Sequence, residues 1–228
     1  MGTSATAAPW KHLLLNSLNS NSHLKHSIYL QLVNIHTSIT HRICHLLLYF
    51  DFFFFIFLLQ ATVGSNGRPS NRTVVFRGFE DNSDRIQIYT DSRTRKIEDI
   101  KHCPFAEICW YFTDSWEQYR INGRVDVIDA SNPDPDKLQQ RQTAWFASSL
   151  KSRLQYLGPS PGLPSLDDQS SQENSLDPSA GPTDAFCLLV LDPEQVDFLN
   201  LKSNRRIAFA SRCSINGEKL WTSVEINP

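Results

Sequence analysis

The chain has 228 residues, 40% hydrophobic and 20% charged, with 24 acidic against 22 basic side chains for a net charge of −2. That balance excludes wholesale disorder and gives no support to non-specific nucleic-acid binding. Five cysteines without a CxxC pair exclude a disulfide scaffold and a zinc ribbon, and reduced thiols in a cytosolic protein are the expected state.

From the N-terminus, MGTSAT fits the short N-myristoylation pattern. Residues 9–20 then read as an amphipathic helix, with Pro9 suited to its first position and Trp10, Leu13, Leu14 and Leu18 at helical spacing. His12, His23, His26, His36, His41 and His45 follow no ligand spacing, and no metal site is expected.

Residues 33–60 are anomalous. They hold six of the fourteen phenylalanines and three of the seven histidines, but only two charged residues, Arg42 and Asp51. One reading is a membrane or interfacial segment. The run Ile43–Leu59 is 17 residues long, the short edge for a spanning helix. Asp51 near its middle would cost about 3 kcal/mol there. The run starts too late for an ordinary signal peptide and lacks a small-residue cleavage site. A core element is a second reading. A retained intron explains more. Val33 has a GTN codon, Phe52–Leu59 implies T-rich codons like a polypyrimidine tract, and a CAG codon at Gln60 would end the segment in AG. Excision joins Ile28–Leu32 to Ala61–Val63, giving a strand IYLQLATV before an Asn66-Gly67 turn. Genomic codons lacking GT and AG at the two ends would exclude the intron.

Beyond the turn, Arg72–Phe79 and Arg85–Thr90 read as strands. Ser92–His102 reads as a short helix stopped before Pro104. Phe105–Phe112 and Trp116–Ile128 are again strand-like, and Asn122-Gly123 inside the second suggests a bulge or close backbone approach. Asn132-Pro133-Asp134-Pro135 opens a helix expected to reach about Tyr156, with Leu138, Trp145, Leu150 and Leu154 as its apolar stripe. Residues 158–184 hold five prolines and six serines and read as a flexible loop. Four strands follow, Phe186–Leu191, Val196–Leu201, Arg206–Ser211 and Leu220–Ile226, with Asn216-Gly217 in the last hairpin. Many strands, few helices and short connections predict one mainly β domain with flanking helices, closed as an antiparallel barrel.

Basic residues punctuate this pattern. Arg72 and Arg77 flank an apolar strand, Arg93, Arg95 and Lys96 open a helix after Tyr89-Thr90, and Gln118, Arg120 and Arg124 lie on a later strand. Cations at a helix N-terminus are locally unfavourable unless an anion joins them. A phosphate would reconcile the pattern; a solvated basic face is the alternative, and for Arg93 the stronger one. Cys103 and Cys109 read as core packing. No GxGxxG, P-loop or nucleophile elbow is present.

The segments ATVGSNGRPSNRTVVFRGF, IQIYTDSRTRKIEDI-KHCPFAEICWYF and WEQYRINGRVDVID together resemble the pyridoxamine 5′-phosphate oxidase-like family. The likeness is close over residues 61–128 and is strongest to its uncharacterised plant and cyanobacterial branch. It implies an FMN-binding split β-barrel, a homodimer with FMN at the interface, and an oxidase of a B6 vitamer phosphate. The alternative it leaves open is an FMN-binding redox or carrier protein with another substrate or none. By resemblance, Arg72, Thr73, Val74 and Arg77 form the first FMN segment, with Arg72 at the phosphate and Arg77, where the family usually has Lys, by the ring. Tyr89 and Thr90 touch flavin and phosphate, Arg95 and Lys96 bind phosphate, and Gln118 bonds the flavin edge. The substrate side departs from the family. SNRRIAF keeps Arg205 but lacks the His and second Arg of the usual Arg-Leu-His-Asp-Arg run. Leu199 stands for the usual Trp, and Trp145 and Ser149 for a Tyr and an Arg; Lys151 and Arg153 are nearby substitutes. No catalytic residue is assigned.

Overall fold

The computed structural model describes residues 8–22, 56–164 and 176–228. The myristoylation pattern, Ile28–Leu32, most of the apolar segment and the centre of the proline-serine loop lie outside the described residues. Within them run helix α1 (Pro9–Ser20), strands β1 (Ile56–Val63), β2 (Pro69–Phe79) and β3 (Ile86–Asp91), helix α2 (Arg95–His102), strands β4 (Phe105–Phe112) and β5 (Glu117–Ile128), helices α3 (Pro135–Ala147) and α4 (Leu150–Leu154), and strands β6 (Phe186–Asn200), β7 (Arg205–Cys213) and β8 (Lys219–Ile226).

All pairings are antiparallel, in the order β3-β2-β1-β4-β5-β6-β7-β8, and β3 also pairs with β6. That extra pairing closes a ring of six strands and leaves β7 and β8 as an outward extension. Alternation along each strand sends one set of side chains inside: Leu58, Val74, Ile86, Ile88, Ile108, Trp110, Tyr119, Ile121, Leu189 and Leu191 form the interior. Helix α1 adds Trp10 and Leu14 to this core, and its Ser17 hydroxyl is 2.8 Å from the Tyr119 hydroxyl. Helix α2 adds Ile97 and Ile100. Helix α3 lies outside the ring, where Trp145 meets Phe186 edge-on at 5.2 Å over Leu188 and Val190. Among the described residues no helix is long and apolar enough to cross a membrane.

Most expected elements are in place. Asn66-Gly67 turns β1 into β2 with Gly67 at φ 73°, and Gly217, at φ 78°, serves the last hairpin. Asn122-Gly123 marks a register shift against β6. A methyl group on Gly123 would fall 2.1 Å from the Asp192 carbonyl oxygen. Gly123→Ala is therefore expected to destabilise the protein by about 1–3 kcal/mol through forced backbone displacement, read as a lower denaturation midpoint.

Two expectations are corrected, and the end of the apolar segment is placed. The helix expected to run to Tyr156 breaks at Ser148-Ser149. Both residues are extended there, and the Ser149 side chain accepts from the Ser152 N–H to start a new helix. Leu150 is consequently exposed, outside any apolar stripe. The two strands expected on either side of Asp192-Pro193 are one 15-residue strand, because Pro193 falls opposite Gly123 at the register shift. Finally, Ile56–Gln60, inside the apolar segment, belong to β1. Leu58 is buried in the core and Leu59 pairs with both Thr73 and Cys109. Gln60 fits less well. It is 0% exposed, and neither of its side-chain amide atoms has a hydrogen-bond partner among the described residues.

The described flanks of the proline-serine loop are tied down. Trp145 Nε1 donates to the Ala180 carbonyl at 2.8 Å, Arg153 Nη1 to the Pro178 carbonyl at 2.8 Å, and Arg141 Nη2 to the Thr183 carbonyl at 2.5 Å.

Candidate functional site

Arg72 shares the inward face of β2 with Val74, but lies nearer the strand's start, where the core gives way to polar groups. Its Nη1 donates to Thr62 Oγ1 at 2.5 Å and its Nη2 to Asp99 Oδ2 at 3.3 Å. Thr62 in turn donates to Asp99 Oδ2 at 2.8 Å. Burial holds the Arg72 guanidinium below its ordinary pKa, and Asp99 opposes that shift.

Helix α2 brings Lys96 to the same place. Its Nζ donates to Thr90 Oγ1 at 2.8 Å and Thr94 Oγ1 at 3.2 Å. Burial lowers its pKa, and the nearby Arg72 cation lowers it further against a weaker pull from Asp91. Among the described residues the Lys96 ammonium makes no ion pair and meets only hydroxyls. Two desolvated cations near one another, with a helix beginning beneath, are a donor set suited to an oxyanion. Arg95 stands exposed in the first turn of α2. Arg93 is otherwise engaged: it grips Asp91 through Nε at 2.9 Å and Nη2 at 2.6 Å, and its Nη1 donates to the Gly158 carbonyl. The solvated-face alternative thus fits Arg93.

The outward face of the same strands carries a second group. Thr73 is exposed, whereas Val74 puts its side chain in the core and leaves only backbone for a ligand. The Arg77 guanidinium carbon lies 5.1 Å from the Tyr89 ring centre. Tyr89 and Tyr156 both meet Phe186 edge-on, at 5.5 and 5.0 Å. Burial pushes the Tyr156 hydroxyl up to about 12, with Arg77 pulling the other way.

Residues 51–129 match the family model for the FMN-binding domain of pyridoxamine 5′-phosphate oxidase. The chain is 57% identical over 228 residues, the whole of both chains, to pyridoxine/pyridoxamine 5′-phosphate oxidase 2 of Arabidopsis thaliana. The chain belongs to the pyridoxamine 5′-phosphate oxidase-like family. A crystal structure of a pyridoxamine 5′-phosphate oxidase-related, FMN-binding protein from Nostoc punctiforme superposes with a TM-score of 0.76 at 33% identity, covering 98% of this chain and 100% of that one. PhzG of Burkholderia lata shares the fold, at 19% identity and a TM-score of 0.53 over 75% of this chain and 81% of its own.

Not every candidate of this oxidase-like chain converges. Gln118 stands on β5, and in the ring β1 and β4 separate it from β2. Arg205 is exposed at the start of β7 and pairs across to Glu225, with Nε to Oε1 at 3.2 Å. Arg153 is buried, committed to Pro178 and lying 5.7 Å from the Trp145 and Phe146 ring centres. Lys151 is exposed on α4. Asp99, Thr62 and Tyr156 are new to the list. A signal for Asp99 lay in the helix: it falls among Ile97 and Ile100 on the buried face, where a carboxylate needs a partner.

Proposed function

We propose that the chain is an FMN-binding flavoprotein that oxidises pyridoxamine or pyridoxine 5′-phosphate. The observation that carries FMN binding is the nearness of two desolvated cations, Arg72 held by Thr62 and Asp99 and Lys96 held by Thr90 and Thr94 at the start of α2, with no carboxylate bonded to Lys96 among the described residues. Arg72, Lys96 and the exposed Arg95 would hold the phosphate of FMN, while Tyr89, Arg77 and the backbone at Val74 would line its neutral portion. Bound FMN supplies the two-electron redox chemistry. The chain's part is to bind, orient and electrostatically bias it: Arg77 offers a fixed cation desolvated by burial, which favours negative charge on a ring carbonyl beside it.

A homodimer with the cofactor at its interface is part of this proposal, and the position of Gln118 supports it. It stands apart from the Arg72–Lys96 group within one chain, and a second copy would supply it from outside. The free thiols of Cys103, Cys109, Cys187 and Cys213 fit a cytoplasmic setting.

One observation favours a second reading, an FMN-binding redox or carrier protein without a B6 substrate. Arg205, the retained cation of the substrate run, is paired with Glu225 in an exposed cross-strand contact. Turnover decides: incubating the FMN-loaded protein with pyridoxamine 5′-phosphate and oxygen in water should release the aldehyde, ammonia and hydrogen peroxide. A protein that keeps FMN but releases none of these supports the second reading.

Lys96 also gives a pH dependence. Its pKa is depressed by burial and by Arg72, so its charge is lost at a lower pH than for an ordinary lysine. FMN affinity is expected to fall as pH rises through that depressed value. Riboflavin affinity should stay flat across the same window, as followed by quenching of flavin fluorescence.

A further inference from the structure

We propose that Asp99 is the positioning residue that presents Arg72 to the phosphate of the bound flavin nucleotide, an inference that rests on the phosphate reading above. Asp99 sits on α2, three residues after Lys96, and is 6% exposed. One of its oxygens, Oδ2, accepts from both Thr62 on β1 and Arg72 on β2, at 2.8 and 3.3 Å. A single carboxylate therefore joins the three elements around the anion cradle.

The arrangement answers two physical needs. Arg72 and Lys96 repel one another, so a buried counter-charge lets both stay protonated and close before any ligand arrives. A guanidinium is also planar and directional, so its usefulness to a phosphate depends on which edge it offers. With Nη1 on Thr62 and Nη2 on Asp99, Arg72 is fixed in one orientation. Asp99 touches no ligand itself; it acts through Arg72.

The test uses the full chain and two ligands, FMN and riboflavin, which differ by the phosphate alone. Asp99→Asn keeps shape and hydrogen bonding to Thr62 but removes the charge. It should weaken FMN about tenfold, the scale of one charge-assisted contact, and leave riboflavin unchanged. In an Arg72→Ala background the same substitution should have no further effect on FMN, because the group it acts through is gone. Thr62→Val, which removes the other partner of Arg72, should produce a smaller loss confined to FMN, and serves if Asp99→Asn fails to fold. Parallel losses for both flavins, an unchanged or tighter FMN, or an equal Asp99→Asn loss without Arg72 would each overturn the proposal. A parent protein that binds FMN no better than riboflavin would instead overturn the phosphate reading, and this inference with it.

Discussion

Deleting residues 33–60 is expected to raise both the soluble yield and the melting temperature of the protein, and Gln60→Leu alone to recover part of that gain. The last residue of the segment, Gln60, fills an interior position of β1 with no exposure and, among the described residues, no partner for its amide. An orphaned buried amide costs about 1–3 kcal/mol. The deletion sets Ile28-Tyr29-Leu30-Gln31-Leu32 directly before Ala61. Counting back from Ala61, Leu32 then takes the place of Gln60, Leu30 that of buried Leu58, and Gln31 that of half-buried Leu59. Leucine faces in and glutamine faces out, as the pleat requires. The deletion also removes an apolar run that invites aggregation. Loop length itself matters little, since closure entropy grows only slowly with it. Gln60→Leu should raise stability by about 1–3 kcal/mol, or roughly 2–4 °C in melting temperature per kcal/mol for a chain of this size. Equal solubility and flavin content for the long and short chains would refute the deletion argument. An unmoved melting temperature for Gln60→Leu would refute the argument from the orphaned amide.

Lys96→Ala should weaken FMN by about 10- to 150-fold, the equivalent of 1.5–3 kcal/mol for a charge-assisted bond. The upper part of that range is expected, because Lys96 is desolvated beside Arg72. Arg95→Ala should fall nearer tenfold, because Arg95 is exposed and water screens its charge. Riboflavin should bind both variants as it binds the parent. If FMN and riboflavin weaken together in Lys96→Ala, the phosphate assignment is wrong and α2 carries only a solvated basic face.

The strands were legible because their interior residues alternate with polar ones, and the turns because Asn-Gly pairs mark them. Closure of the ring was legible only as a class of solution. The pairing of β3 with β6 that achieves it joins Ile86 to Leu191, a distance in sequence that no local pattern encodes. The break at Ser148-Ser149 was hidden because two serines neither forbid nor demand a helix, and their extended backbone and the Ser149 cap decide the matter. In the candidate site the cations announced themselves by sitting at a helix start. Their partners did not: Thr62 and Asp99 meet Arg72 only through packing of α2 against β1 and β2. Arg153, read as a substitute for a lost substrate residue, supports the loop flank instead, since a lysine or arginine stem packs as readily as its head binds.

The single long strand β6 has a consequence for synthesis. It pairs with β5 along most of its length on one side and with β3, then β7, on the other. On the ribosome β1 to β5 emerge first, and residues 129–185 must follow before Phe186 appears. Throughout that interval β3 and β5 are open strand edges, the feature most prone to pairing with another chain. Distant pairings of this kind also fold slowly. Self-association of nascent chains therefore competes with closure until β6 arrives, and a chain that stops before Phe186 never leaves that competition.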